Sequence, residues 1–151
     1  MGFSLWKIGD RSGIRPHEKS LRRFKDKVIL ITKRNRGRSV TSILIELKRY
    51  VRGWLGYYRL ASLSARLRDL DGWIRSRIRM YIWKQWKRVR TRFANLRRLG
   101  QGKVQAWKWA NTRKGYWRTA HSQILSMTLT NQHLEGLGLL NMSKLYRELA
   151  S

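Results

Sequence analysis

A chain of 151 residues with 42% apolar residues is long enough for one domain with a real core. Its lack of cysteine excludes disulfides and thiolate metal sites and fits a reducing cytoplasm. Thirty-five lysines and arginines against eight acidic residues give a formal charge of +27, and no stretch approaches the roughly 20 uncharged apolar residues of a membrane span.

Residues 1–16 differ from the rest. Phe3, Leu5 and Ile8 lie near the turn signal Gly9-Asp10-Arg11, and Gly13-Ile14-Arg15-Pro16 follows, so a short β-hairpin is expected. An isolated hairpin is marginally stable, so this one is expected to belong to a sheet that the chain does not contain. The start lacks the charged opening and apolar stretch of a secretory signal.

Pro16, the one proline, suits the start of a first helix. Leu21, Phe24, Val28 and Ile31 repeat at steps of three and four and define its buried face, while Arg22, Arg23, Lys25 and Lys27 point elsewhere. Lys33-Arg34-Asn35-Arg36-Gly37-Arg38 then breaks the period and reads as a basic loop suited to clamping a phosphate backbone. Ser39 is a good N-cap for a second helix, with Val40, Ile43, Leu44, Leu47, Val51, Trp54, Leu55 and Tyr58 as its apolar stripe. Gly53 and Gly56 interrupt it at about 1 kcal/mol each relative to alanine. Either another backbone approaches closely there, or the helix is simply irregular.

After Ala61-Ser62 the spacing predicts a long third helix. Leu67, Leu70, Ile74, Ile78, Ile82, Trp86, Val89, Phe93 and Leu96 keep the period almost to Gly100, with a bend anticipated after Val89. Arg66, Arg68, Arg75, Arg77, Arg79, Lys84, Lys87, Arg88, Arg90 and Arg92 cover much of the remaining surface. Gly100-Gln101-Gly102 is a punctuation point. A short helix over 104–110, a basic aromatic turn over 113–118 and a helix over 121–127 follow, then two small helices near 131–136 and 141–149. No lysine or arginine lies between Arg118 and Lys144, so this C-terminal part is expected to pack on the bundle.

The inventory is poor in catalytic chemistry. His17, His121 and His133 lack metal-ligand spacing. Asp69 and Asp71, two apart on a helix, point about 200° away from each other and cannot share a metal; pairing with Arg66, Arg68 or Arg75 is expected. No serine sits in a nucleophile motif and no glycine loop cradles a phosphate. No catalytic residue, metal or cofactor is therefore expected. The informative pattern is basic residues interleaved with indoles, densest at Trp83-Lys84-Gln85-Trp86-Lys87-Arg88 and Trp107-Lys108-Trp109. Guanidinium forks hold phosphate oxygens with paired hydrogen bonds, and exposed rings stack on unpaired bases. Trp54, Trp73 and Trp86 fall on or beside apolar stripes and read as core, whereas the spacing does not assign Trp83. A charge of this density opposes folding unless something neutralises it. A nucleic acid, bound with release of its counterions, is the natural partner.

Laid out in order, these residues resemble the thumb and maturase region (domain X) of a bacterial group II intron-encoded reverse transcriptase. The second helix carries a glycine-tryptophan pair and a tyrosine-tyrosine-arginine run, Arg52-Gly53-Trp54-Leu55-Gly56-Tyr57-Tyr58-Arg59. Leu70-Asp71-Gly72-Trp73-Ile74-Arg75 and then Trp83-Lys84-Gln85-Trp86-Lys87-Arg88 are similar to the next family segments. Gly2-Phe3-Ser4 resembles the palm-terminal strand, 16–38 the first thumb helix and its basic loop, and 106–149 the C-terminal extension of bacterial members. The family's tyrosine-x-aspartate-aspartate turn, its fingers and most of its palm have no counterpart here. The chain is thus expected to be either a fragment or a solitary thumb-like reading frame, and not an enzyme by itself.

The resemblance implies a mainly α fold: a palm-terminal hairpin remnant over 1–16, a three-helix thumb-like bundle over 17–99, and a C-terminal extension of small helices over 100–151. It implies a bacterial, cytoplasmic protein that grips structured intron RNA and a template–primer duplex, supporting splicing and reverse transcription beside the rest of the reverse transcriptase. A-form duplexes are read by shape and backbone. The residues expected to bind RNA are Arg22, Arg23, Lys25, Arg34, Arg36, Arg38, Lys48, Arg52, Arg59, Arg66, Arg68, Arg75, Arg77, Arg79, Lys84, Lys87, Arg88, Arg113, Lys114 and Arg118. A stand-alone basic RNA-binding protein of ribosomal or chaperone type is the alternative. A membrane-surface helix protein and a compact DNA-binding protein are further rivals.

Overall fold

In the computed structural model of this chain, residues 18–57 and 66–149 are described in full, and the backbone alone at 3–8, 11–16, 64–65 and 150. The expected N-terminal hairpin lies outside the fully described residues, and what is described in full is helical. The helices are α1 (Glu18–Ile31), α2 (Val40–Tyr57), α3 (Ser64–Gln85), α4 (Val89–Arg98), α5 (Lys103–Ala110), α6 (Tyr116–Ala120), α7 (Gln123–Thr128), α8 (Asn131–Gly136) and α9 (Met142–Ala150).

The first two helices follow their apolar periods. α1 buries Leu21, Phe24, Val28 and Ile31, and α2 buries Ile43, Leu44, Leu47, Val51 and Leu55. Phe24 joins them, its ring 5.8 Å from that of Tyr50 and 4.5 Å from that of Trp54. The basic loop between them is pinned from α3. The Tyr81 hydroxyl donates to the Arg38 carbonyl at 2.5 Å and accepts from the Arg38 N–H at 3.0 Å. The loop turns at Gly37, whose φ of 70° favours glycine. Ser39 begins α2 as expected, its Oγ accepting the Ser42 N–H at 3.1 Å. Tyr58, expected on the α2 stripe, lies outside the described residues. At Gly53 and Gly56 no described atom comes within 4 Å of where a Cβ would sit, so the close backbone approach is not found there.

α3 is the axis of the molecule. Ile74, Ile78 and Ile82 are buried, and so are Ser76, Arg79, Met80 and Trp83 on its other sides. The second burial comes from the C-terminal extension, since α3 packs against α6 and α9 and α2 also meets α9. This assigns Trp83, which is 1% exposed. One-face periodicity cannot find a residue that is buried off the stripe.

Three expectations need correction. The long third helix stops at Gln85 and restarts at Val89, earlier than the anticipated bend. No glycine, proline or capping side chain marks the break; the N-cap, Arg88, is extended and makes no side-chain cap. A stripe that stays in phase looks the same across one helix or two. Tertiary packing sets the break, with Trp83 edge-on to Trp86 at 6.1 Å and Leu96 of α4 carried into the core. The second correction concerns Asp71. It is buried and caps α9, accepting the Met142 N–H at 2.7 Å, the Ser143 N–H at 3.3 Å and the Ser143 hydroxyl at 3.3 Å. Burial raises its pKa, and those hydrogen bonds together with the charge of Arg75, one of the expected partners, oppose the rise. The expected turn over 113–118 yields to α6 after its N-cap at Gly115.

Candidate nucleic-acid interface

The cations of this chain have three fates. Some are held by carboxylates. Arg36 and Arg38 share Glu46, at 2.8 and 2.5 Å, and Arg66 meets Glu18 at 2.6 Å. The hydrogen bond from Arg36, supported by Arg38, holds the Glu46 carboxyl below its ordinary pKa and raises that of Arg36. A groove between α1 and α3 mixes signs in the same way, lining Arg22, Lys25 and Arg66 with Glu18 and Asp69.

Others are held by backbone oxygens. Arg79 was expected on the outer surface among the RNA-binding residues, and the structure corrects this. It is 9% exposed, donating to the Leu129 carbonyl at 2.8 Å and Asn131 Oδ1 at 2.9 Å. It clasps α3 to the α7–α8 segment, and burial lowers its pKa. Arg77 is committed through two of its nitrogens, Nη2 donating to the carbonyls of Ile29 at 3.3 Å and Thr32 at 3.4 Å and Nε to Thr32 Oγ1 at 3.0 Å. Arg36 also reaches the Ile31 carbonyl at 2.9 Å.

The third group lies against aromatic rings. Between Gly72 and Leu134 the sequence has no aspartate or glutamate, against fifteen lysines and arginines. There α6 presents Tyr116, with the Arg34 guanidinium 4.7 Å and the Lys84 ammonium 5.4 Å from its ring centre. Arg92 stacks 4.3 Å from the Trp83 ring, its Nε buried without a hydrogen-bond partner. Burial lowers the Arg92 pKa, and Tyr116 partly offsets this. Arg77 lies 5.9 Å from the Trp117 ring, which meets His121 edge-on at 4.2 Å. Burial, and then the like charge of Arg34, lower the Arg77 pKa. Cations from the α1–α2 loop and α3 thus meet the two rings of α6, and Arg92 of α4, over Trp83, also interacts with Tyr116. The quadrupole of a ring attracts a cation without cancelling its charge. This cluster can therefore still take phosphate oxygens, by charge and by guanidinium fork.

Of the other residues expected to bind RNA, Arg22, Arg23, Lys25, Lys48, Arg52, Arg68, Lys87, Arg88, Arg113, Lys114 and Arg118 are exposed, and Arg75 is half-buried. Arg59 lies outside the described residues. The spacing had not selected Arg92, Tyr116 or Trp117; the run without acids from Gly72 to Leu134 is the signal that points to them. Among the described residues no cluster of side chains could hold a metal ion, and no helix is long and apolar enough to cross a membrane.

Residues 21–100, just over half the chain, match the family model described as group II intron, maturase-specific domain. No curated protein matches the chain. The matched span runs from α1 through α4, so it supplies Arg34, Arg77, Lys84 and Arg92 but not the α6 rings that gather them.

Proposed function

The chain belongs to the family of group II intron maturase-specific domains, and from that premise we propose that it binds intron RNA through the cation–aromatic surface around Tyr116. One observation carries the reading: Arg34, Lys84 and Arg77 lie over the α6 rings and Arg92 over Trp83 of α3, and the run from Gly72 to Leu134, which supplies all of these but Arg34, has no carboxylate. Such a surface repels itself until a polyanion arrives.

The mechanism is positioning rather than chemistry. α3, buried on both sides, fixes the spacing of Arg77, Lys84 and the rings beneath them. Exposed arginines around this core track an A-form backbone by shape and charge. In a larger reverse transcriptase the same surface would act as the thumb that grips a template–primer duplex, and the active site would lie elsewhere in that protein. Filter binding of structured intron RNA across a salt series tests the reading. With about six phosphates neutralised, log affinity should fall against log salt with a slope near −4 to −5. A slope near zero would reject electrostatic RNA binding.

A further inference from the structure

We propose that the outer face of the α4–α5 hairpin takes an unpaired nucleobase, stacked on Trp107. The inference deepens the RNA-binding reading above and rests on it. Trp107 is 58% exposed, and Val104, one turn before it on the same face of α5, is 83% exposed. An indole left in water at this level sits among apolar surface that soluble helices ordinarily bury.

The ring is held but not used. Phe93 of α4 meets it edge-on, with centroids 5.7 Å apart and planes at 77°. That contact orients the indole and still leaves more than half of the residue exposed. Several other part-exposed rings carry a cation: Lys25 on Trp73, Lys27 on Tyr50, Arg34 and Lys84 on Tyr116, and Arg77 on Trp117. Among the described residues no cation lies over Trp107.

Cations stand beside the ring instead. Arg90 and Arg97 are exposed and lie one turn either side of Phe93 on α4, and exposed Lys108 follows Trp107. Arg97 uses one donor on the Gln101 carbonyl at 3.1 Å. No carboxylate belongs to either helix. A flat apolar face with phosphate-seeking groups on its flanks matches a nucleotide whose base has left its stack. A paired duplex has no free base face to offer it. An acidic protein partner would meet the same charges, so the assay must separate bases from phosphates.

The full chain is titrated with three RNA probes: a hairpin whose fully paired stem is closed by a non-nucleotide linker, the same hairpin with a short unpaired overhang, and that overhang with its bases removed. The overhang should tighten binding about tenfold, and the abasic overhang should not. Trp107→Leu keeps an apolar contact for Phe93 but loses the ring. It should abolish the gain and leave hairpin affinity and thermal midpoint unchanged, while Trp107→Tyr should restore much of the gain. An abasic overhang that binds as well as the intact one, or a Trp107→Leu protein that keeps the gain, overturns the proposal. Loss of hairpin binding alone, with the overhang gain intact, would instead count against the Tyr116 surface.

Discussion

The α1–α2 region and the α3–α6 region are both crowded with arginine, yet they handle it differently. In the first, Glu46 gathers Arg36 and Arg38, and Glu18 takes Arg66. In the second, the sequence offers no acid from Gly72 onward to Leu134, and Arg34, Lys84, Arg92 and Arg77 lie over Tyr116, Trp83 and Trp117. Half-exposed ion pairs are worth about 0–1 kcal/mol, and exposed cation–ring contacts about 0.5–1 kcal/mol. Stability therefore does not distinguish the two arrangements. Availability does: a carboxylate cancels the charge it holds, and a ring leaves it for a phosphate.

Substitutions sharpen this contrast, and the largest effect is expected where α3 meets the extension. Trp83→Ala removes a fully buried indole and the floor beneath Arg92, and should destabilise the fold by about 3–5 kcal/mol in denaturant unfolding. Arg79→Ala should come next, at about 2–3 kcal/mol, because hydrogen bonds from a charged donor to Leu129 and Asn131 are lost. A protein with unchanged stability but weaker RNA binding would return Arg79 to the outer surface. Arg34→Gln with Lys84→Gln should do the reverse, lowering RNA affinity about tenfold while stability moves by no more than about 0.5 kcal/mol. Isothermal titration and a melting curve on one preparation separate the two.

The smallest effect belongs to Glu46. Its folded pKa is lowered, chiefly by the Arg36 hydrogen bond, so its contribution is complete above the ordinary carboxylate range and is lost as pH falls through the lowered value. With a third of the side chain exposed, that contribution is below about 1 kcal/mol. Glu46→Gln should lower the neutral-pH melting point slightly and flatten its acid limb. RNA affinity should hold or rise, because two arginines are freed.

The sequence made the inward face of each early helix legible, because Leu21, Phe24, Val28 and Ile31, or Ile43, Leu47 and Val51, follow a period set by the backbone itself. It did not reveal which arginines face inward. Arg79 and Arg75 stand one turn apart, and only the arrival of Leu129 and Asn131 from far along the chain buries the first. Trp83 escaped assignment because it is buried off the apolar stripe, with Trp86 and Arg92 against its ring. Asp71 looked like a partner for neighbouring arginines because local charge was visible and the start of α9 was not. The family motifs pointed to the α1–α4 core, whereas the aromatic anchor of the site, Tyr116, comes from the extension beyond the matched span. Its legible trace was the absence of acidic residues from Gly72 to Leu134.

The most direct test compares salt slopes for structured intron RNA between two double variants, Arg34→Gln/Lys84→Gln at the rings and Arg22→Gln/Arg66→Gln in the mixed-charge groove. Loss of two phosphate contacts at the rings should make the log–log slope shallower by about two, while the groove variant keeps the native slope. Equal slopes in the two variants would contradict the claim that ring-held cations, rather than basic residues at large, hold the RNA.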